Sequence, residues 1–311
     1  MSLDRLIEKI EQTQNPSVAG LDPKLAYVPE FIKEKCFEKY GETLKGAAKA
    51  LLEFNKGLID ALYDIVPAVK PQAAYYEMYG PAGVKTLYKT QEYARSKGMY
   101  VITDGKRNDI GTTMEAYAAA HLGKVQVGSQ TYEPFLGDAL TVNGYLGSDG
   151  IKPLVATCRD NDKGIFVLVK TSNPSSGELQ DKKIDGVTIY ETMGHMCEEW
   201  GKELPGVYGY SGVGAVVGAT YPEQLKYLRE KLPTTFFLIP GYGAQGAGAK
   251  DIAGAFDKNG LGGIVNSSRG IMCAYQKEKC DEHEFAEAAR REAIRMRDEI
   301  MGIVGKISIS K

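Results

Sequence analysis

The chain of 311 residues has few of the side chains that usually hold metals or form disulfides. Its three histidines, His121, His195 and His283, are far apart and show no metal-ligand spacing, which favours packing or surface roles. Its five cysteines include no Cys-x-x-Cys pair, and an odd number of scattered thiols is typical of reduced side chains rather than of a disulfide framework. We therefore expect no metal ion in this protein.

Long runs of one charge, or of apolar residues, are missing as well. The 38 basic and 40 acidic residues nearly balance, and the lack of a long basic run disfavours a nucleic-acid partner. The first ten residues carry charges every few positions and lack the apolar block of a secretory signal. We expect them to form an amphipathic helix of a cytoplasmic protein that binds a small molecule and has no membrane or nucleic-acid partner.

What the sequence does contain is a repeated alternation of short apolar segments with longer segments of helical spacing, the pattern of βα units around a parallel sheet. Candidate strands are residues 17–21, 68–70, 99–103, 139–142, 165–169, 215–217, 236–239 and 263–265. Candidate helices are residues 41–65, 77–96, 112–122, 189–200, 222–232 and 282–301. The pattern predicts an α/β fold, a (β/α)8 TIM barrel, with residues 1–311 as a single domain. Residues 144–164 and 175–187 are rich in glycine, aspartate or other polar residues, and we interpret them as loop insertions.

Charged residues cluster at the end of the third predicted strand. Strand alternation would place Ile102, Asp104 and Lys106 on one face, Asp109 follows three residues later, and Lys70 ends the second strand. The carboxyl ends of the strands carry the chemistry in barrels of this kind. A lone Asp-x-Lys is more often an ordinary ion pair. Four alternating charges in a partly desolvated pocket would be costly unless they stabilised one another or a reacting species, which favours a catalytic site.

A possible phosphate site follows the last two predicted strands. Glycines after the seventh strand can let backbone N–H groups approach an anion, although such a loop alone is also typical of a flexible connection. Barrels often bind phosphate with their last two loops, and an arginine after the eighth strand can grip phosphate oxygens in a bidentate manner. The candidate residues are Gly241, Gly243, Gly246, Ser268, Arg269 and Gly270.

The segment from Asp104 to Asp109 resembles the Asp-x-Lys-x-x-Asp signature of the orotidine 5′-phosphate decarboxylases. The similarity extends from Ala19-Gly-Leu-Asp22 to Ser267-Ser-Arg269-Gly and is greatest with the longer bacterial and mycobacterial-type subfamily. It implies a cofactor-free enzyme of de novo pyrimidine biosynthesis that converts orotidine 5′-monophosphate to uridine 5′-monophosphate. The resemblance assigns the catalytic array to Lys70, Asp104, Lys106 and Asp109, with Lys106 stabilising a carbanion at carbon 6 and then protonating it.

The resemblance also assigns contacts to the substrate. Asp22 matches the residue that contacts a ribose hydroxyl, and Ser172 matches the residue at the edge of the base. Gln245 matches a residue of a closing loop that bridges phosphate and pyrimidine, and Arg269 matches the phosphate ligand.

A homodimer is a further implication of the resemblance. In the family, the last aspartate of the signature and a nearby threonine reach into the active site of the partner subunit. The matching residues here are Asp109 and Thr113, although Gly111-Thr112-Thr113 stands where many members have Pro-Asn-Thr. If the similarity holds, both residues act across the interface.

Three other functions remain open at this stage. A related sugar-phosphate enzyme with a magnesium-bound enediolate would need a carboxylate near the second strand end, and Glu77 is the nearest candidate. A Schiff-base aldolase could use Lys70, Lys106 or Lys170 as its nucleophile. A non-catalytic phosphate sensor would be expected to have a disrupted charge array, whereas this array is complete.

Two further motifs carry less weight. The glycines from Gly212 to Gly218 precede and interrupt an apolar run, whereas a dinucleotide fingerprint should follow a strand. We interpret them as strand-entry and packing residues. Ser211 lacks the second glycine of a nucleophile elbow, because Val213 stands in its place.

Overall fold

A closed barrel of eight parallel strands forms the centre of the protein. The computed structural model describes residues 2–243 and 248–309. The strands are β1 (Ser17–Leu21), β2 (Ala68–Pro71), β3 (Tyr100–Arg107), β4 (Ala139–Val142), β5 (Gly164–Lys170), β6 (Val213–Val217), β7 (Phe237–Ile239) and β8 (Gly263–Ser267). Each strand pairs with its sequence neighbour, and β8 pairs with β1 to close the sheet. The predicted TIM barrel and its eight strands are confirmed.

Helices return the chain from one strand to the next. They are α1 (Ser2–Thr13), α2 (Glu30–Tyr40), α3 (Leu44–Leu62), α4 (Ala74–Glu77), α5 (Gly80–Ser96), α6 (Gly111–His121), α7 (Ser148–Asn161), α8 (Ile189–Gly201), α9 (Pro222–Lys231), α10 (Ala249–Ile252), α11 (Arg269–Met272), α12 (Ala274–Glu278) and α13 (Phe285–Val304). The six predicted helices correspond to α3, α5, α6, α8, α9 and α13. Among the residues described, no helix has the length and apolar character needed to cross a bilayer.

The barrel interior is filled from below by apolar side chains. Buried residues of α1, including Leu6 and Ile10, pack with Ile102, Phe166 and Leu238 of the strands. The amphipathic helix predicted at the amino terminus therefore covers the amino-terminal end of the barrel. Because this end is filled, a site for a ligand can open only at the carboxyl ends of the strands.

One predicted insertion is wrong, and the other is confirmed. Residues 144–164 contain α7, whose buried residues include Ile151, Leu154 and Cys158. Gly150 and the internal Pro153 hide the helical pattern in the sequence, because both residue types disfavour helix interiors. Residues 175–187 do form an irregular excursion, with a 3-10 turn and the short antiparallel pair Lys183–Ile184 and Val187–Thr188.

Candidate active site

Three charged side chains meet at the carboxyl end of the barrel. Lys70 Nζ donates a hydrogen bond to Asp104 Oδ2 at 2.8 Å, and Lys106 Nζ donates to Asp104 Oδ1 at 2.6 Å. Lys70 and Asp104 are buried, whereas the side chain of Lys106 is 47% exposed. The aspartate is therefore fixed between two ammonium groups, and only the second of them reaches toward open space.

The local backbone of β3 turns Lys106 into this position. The pairing of β3 with β4 shifts register between Thr103 and Arg107, and Lys106 itself adopts a positive φ of 47°. A lysine in this left-handed region costs on the order of 1 kcal/mol. Asp104 and Lys106 share one cavity as the alternation predicted, but an irregular strand end produces the contact.

Thr141 of β4 completes the surroundings of the aspartate. Its hydroxyl donates to Asp104 Oδ1 at 2.8 Å and accepts the backbone N–H of Lys106 at 3.0 Å. Sequence reasoning missed this residue, although a signal was available. Ala139 packs in the barrel interior, so alternation along β4 also turns Thr141 inward, at the carboxyl end of the strand.

The charge state of the site follows from these contacts. Burial works to raise the pKa of the Asp104 carboxyl, but the ammonium groups of Lys70 and Lys106 hold it well below its ordinary value. Burial works to lower the pKa of Lys70, yet Asp104 and Asp22 raise it above its ordinary value. Asp104 is therefore a carboxylate and Lys70 an ammonium at neutral pH.

Asp22 lies at the edge of this array. Its Oδ1 is 3.9 Å from Lys70 Nζ, too far for a hydrogen bond. The same oxygen is buried and has no hydrogen-bond partner among the described residues. An acceptor of this kind can receive a hydrogen bond from a hydroxyl group of a ligand.

Two adjoining cavities share the three charged residues. The first has a volume of about 510 Å³ and reaches from Lys70, Asp104 and Lys106 to Arg269. The second has a volume of about 430 Å³ and extends from the same three residues to Ser172. The array thus lies between an arginine at one end and a hydroxyl-rich segment at the other.

The predicted phosphate residues lie together where the structure describes them. Gly241 and Ser268 line the first cavity with Arg269, while Gly243 and Gly270 line a neighbouring cavity of about 490 Å³ that Arg269 also borders. Gly241 and Gly243 have φ angles of 100° and 72°, which favour glycine over other residues. Gln245 and Gly246 lie outside the described residues.

Asp109 and Thr113 are placed differently from the rest of the predicted site. Asp109 Oδ1 accepts the backbone N–H of Ile110 at 2.8 Å, and within the part of the chain that the structure describes it forms no ion pair with Lys106. Thr113 is exposed in the first turn of α6. Neither residue lines the two cavities that contain Asp104.

The possible magnesium ligand is engaged elsewhere. Glu77 in α4 accepts a hydrogen bond from Arg107 and does not line either cavity. Residues 2–243 and 248–309 contain no group of three or more histidine, cysteine or acidic side chains arranged to hold a metal ion. Glu77, the candidate near the end of the second strand, is therefore not directed at the array.

A closed parallel barrel with a charged cavity at the carboxyl ends of its strands defines a (β/α)8-barrel enzyme. A family model described as "Orotidine 5′-phosphate decarboxylase / HUMPS family" matches residues 42–281. A curated orotidine 5′-phosphate decarboxylase from Rhodopirellula baltica is 44% identical over 94% of this chain and 96% of its own length.

Solved structures agree with the sequence comparison. The OMP decarboxylase of Leishmania donovani superposes with a TM-score of 0.75 at 29% identity, covering 97% of this chain and 98% of that one. The UMP synthase of the same organism gives a TM-score of 0.76 at 30% identity, and this chain covers 56% of that longer protein. The chain belongs to the orotidine 5′-phosphate decarboxylase / HUMPS family and is a carboxy-lyase.

Proposed function

We propose that the protein converts orotidine 5′-monophosphate to uridine 5′-monophosphate in de novo pyrimidine biosynthesis, with residues 1–311 acting as a single catalytic domain. The observation that carries the proposal is the carboxylate of Asp104 held between Lys70 and Lys106 at the meeting point of two cavities. The curated relatives support the choice of substrate, since their names specify this decarboxylation. The cytoplasmic location expected from the sequence stays a prediction.

The difficult step of this reaction is the loss of carbon dioxide from carbon 6. It leaves negative charge that no conjugated carbonyl group can absorb, so the barrier in water is high. Enzymes lower barriers by roughly 8 to 23 kcal/mol, and this reaction requires the upper part of that range. The residues of the site must therefore stabilise a carbanion directly, and we propose that they do so without a cofactor.

Lys106 is the group best suited to that task. Its ammonium is half exposed in the cavity and is anchored by Asp104 at 2.6 Å. A fixed positive charge next to carbon 6 stabilises the developing carbanion, and the same ammonium can then donate its proton to that carbon. Lys70 and Thr141 hold Asp104 in place, so that the charge of Lys106 needs no rearrangement during the reaction.

The remaining contacts follow the shape of the two cavities. Asp22 Oδ1 is available to a ribose hydroxyl next to Lys70, and Ser172 borders the opposite cavity, where the base would lie. Arg269 would bind the phosphate, with the backbone of the glycines Gly241 and Gly243 nearby. We assign Gln245 and Gly246 to the same end from the family resemblance alone.

A homodimer with a shared active site is part of the proposal. Near Asp109, the side chains of Ile110, Tyr145 and Leu146 are 52%, 73% and 47% exposed. A Cβ atom added to Gly150, in the first turn of α7, would lie 2.9 Å from the backbone oxygen of Asp109 and 3.7 Å from the Leu146 Cβ, so the two segments meet there. Large exposed apolar side chains on two adjoining segments favour an interface. It supports a partner that receives Asp109 and Thr113.

Schiff-base chemistry is disfavoured at two of the three candidate lysines, Lys70 and Lys170. A nucleophilic amine must lose its proton, whereas Asp104 and Asp22 raise the pKa of Lys70. Lys170 is fully buried and forms an ion pair with Asp181 at 2.8 Å. Lys70 is therefore held as an ammonium, and the Lys170 amine has no open path to a substrate.

The substrate assignment can be tested with purified protein and no added metal. We expect orotidine 5′-monophosphate to be consumed, as a loss of its ultraviolet absorbance, with equal rates in the presence and absence of EDTA. A rate abolished by EDTA and restored by Mg²⁺ would favour the enediolate enzyme instead. The absence of any turnover would contradict the proposed function.

Replacing Arg269 should impair binding more than chemistry. The phosphate is too far from carbon 6 to take part in bond breaking, so its contacts act mainly through affinity and organisation of the site. We expect Arg269→Ala to raise KM by about 10 to 100-fold, the value of a lost charge-assisted hydrogen bond, and to change kcat much less. Arg159→Ala is the matched control, because the exposed Arg159 guanidinium pairs with Glu203 and lines none of these cavities. A large loss of kcat at unchanged KM would contradict this role.

A further inference from the structure

The segment that follows β5, from Thr171 to Asn173, is held by a residue of the polar excursion after it. Gln180 Oε1 accepts the backbone N–H of Thr171 at 2.9 Å, and Gln180 Nε2 donates to Thr171 Oγ1 at 2.7 Å. One side-chain amide thus contacts both the backbone and the hydroxyl of the same residue. Because a backbone N–H can only donate, the orientation of this amide is fixed.

The fixed amide determines the direction of the next hydrogen bonds. Since Thr171 Oγ1 accepts from Gln180, its own proton is donated to Asn173 Oδ1 at 2.6 Å. Asn173 Nδ2 then donates to Ser175 Oγ at 3.1 Å. The Ser172 hydroxyl, by contrast, makes no hydrogen bond with any residue in the described ranges. This hydroxyl is therefore available to a ligand in the cavity.

An ion pair between a buried lysine and a partly exposed aspartate attaches the same excursion to the barrel. Lys170, the last residue of β5, is fully buried, and its Nζ donates to Asp181 Oδ1 at 2.8 Å and to Ser176 Oγ at 3.0 Å. The ammonium also lies 4.5 Å from the centre of the Tyr221 ring. A buried charge is tolerated only when it is paired in this way. The contact between Asp181 and Lys170 therefore fixes the position of Gln180, which precedes Asp181 in the chain.

Ser172 is also confined from the side of β6. A Cβ atom added to Gly218 would lie 2.8 Å from the Ser172 Cβ and 2.9 Å from its backbone nitrogen. Only glycine permits this close approach. The segment that carries Ser172 is thus fixed between Gly218 on one side and Gln180 on the other.

We propose that Gln180 is a positioning residue for recognition of the pyrimidine ring, acting through Thr171 to aim the Ser172 hydroxyl at the edge of the base. Thr171, Ser172 and Gln180 all line the cavity that also contains Lys106. Correct placement of the base brings carbon 6 to the ammonium of Lys106. The inference rests on the proposed function, and it gives the excursion between β5 and α8 a role in substrate specificity.

Binding of two ligands separates this role from a general structural one. Uridine 5′-monophosphate contains the base, ribose and phosphate, whereas ribose 5-phosphate lacks the base. We expect Gln180→Leu to weaken the affinity for uridine 5′-monophosphate about 10-fold or more, through loss of two hydrogen bonds, and to leave the affinity for ribose 5-phosphate nearly unchanged. In turnover of orotidine 5′-monophosphate, KM should rise more than kcat falls. Glu178→Ala, an exposed position of the same excursion, is the control.

Two further variants keep the test independent of folding defects. Gln180→Glu can still accept the Thr171 N–H but cannot donate to the hydroxyl, so we expect an intermediate loss. Thr171→Val should also weaken the binding of uridine 5′-monophosphate but not that of ribose 5-phosphate. The role of Gln180 would be overturned if these variants bound the nucleotide as tightly as wild type does. It would also be overturned if they lost affinity for the nucleotide and for ribose 5-phosphate to the same extent. Turnover of orotidine 5′-monophosphate by the wild-type protein tests the proposed function separately.

Discussion

Lys106→Ala should lower kcat by about 10⁴-fold, with a much smaller change in KM. The variant removes both the charge that stabilises the carbanion and the proton that replaces carbon dioxide, and each contribution is typically worth about 10² to 10⁴-fold. Substrate binding depends mainly on Arg269, Asp22 and Ser172 in the proposed site. The measurement is carbon dioxide release, or absorbance loss, under saturating substrate.

The fold should survive this substitution. The Lys106 side chain is 47% exposed, and Asp104 keeps its contacts with Lys70 and Thr141. We therefore expect a thermal midpoint close to that of wild type. Turnover within 10-fold of wild type would contradict the proposed mechanism.

Two matched variants separate the charge from the proton. Lys106→Arg keeps a positive charge, but a guanidinium does not release its proton in proteins. We expect it to recover only a small part of the lost rate. Lys202→Ala, which removes an exposed lysine paired with Glu199 at the end of α8, should have wild-type turnover.

The sequence allowed the barrel to be predicted because each strand has its own local signal. Apolar β-rich runs separated by helical patterns identify βα units without knowledge of long-range contacts. The helix α7 escaped prediction because Gly150 and Pro153 obscure its helical pattern. The exposed pair of strands Val125–Val127 and Gln130–Tyr132 was also missed, since three residues are too few for an alternating pattern to identify a strand.

The meeting of Lys70 with Asp104 was predictable for a related reason. Lys70 and Asp104 both lie in the carboxyl-terminal halves of their strands, β2 and β3, and those ends of a parallel barrel meet at one face. The contact of Lys170 with Asp181 could not be derived in this way, because it depends on the path of an irregular loop. Gln180 was missed for the same cause. A polar residue in a loop carries no periodic signal that would direct it toward a site.

Two inactive variants should restore activity when they share one dimer. If Asp109 acts in the partner's site, a dimer of one Lys106→Ala chain and one Asp109→Ala chain contains one intact site. The other site carries both substitutions. We expect each variant alone to lose at least about 10²-fold in kcat, and the purified mixed dimer to show about half of the wild-type turnover, since one of its two sites is complete.

The experiment uses two affinity tags, so that only mixed dimers are collected after coexpression. A mixed dimer of Lys106→Ala with Asp104→Ala is the matched control, because Lys106 and Asp104 contact each other within one chain and both of its sites are damaged. It should remain inactive. Recovery in the control would mean that mixing repairs the fold rather than the site.

The structure of the single chain explains why this outcome is expected. Asp109 forms no ion pair with Lys106 in the described part of its own chain, and Ile110, Tyr145 and Leu146 are exposed on the two segments that meet beside it. Covering this surface with a second copy would bring each Asp109 to the other subunit and remove apolar area from water. An inactive mixed dimer of Lys106→Ala and Asp109→Ala would instead assign Asp109 to the site of its own chain, and the dimer would then have no part in catalysis.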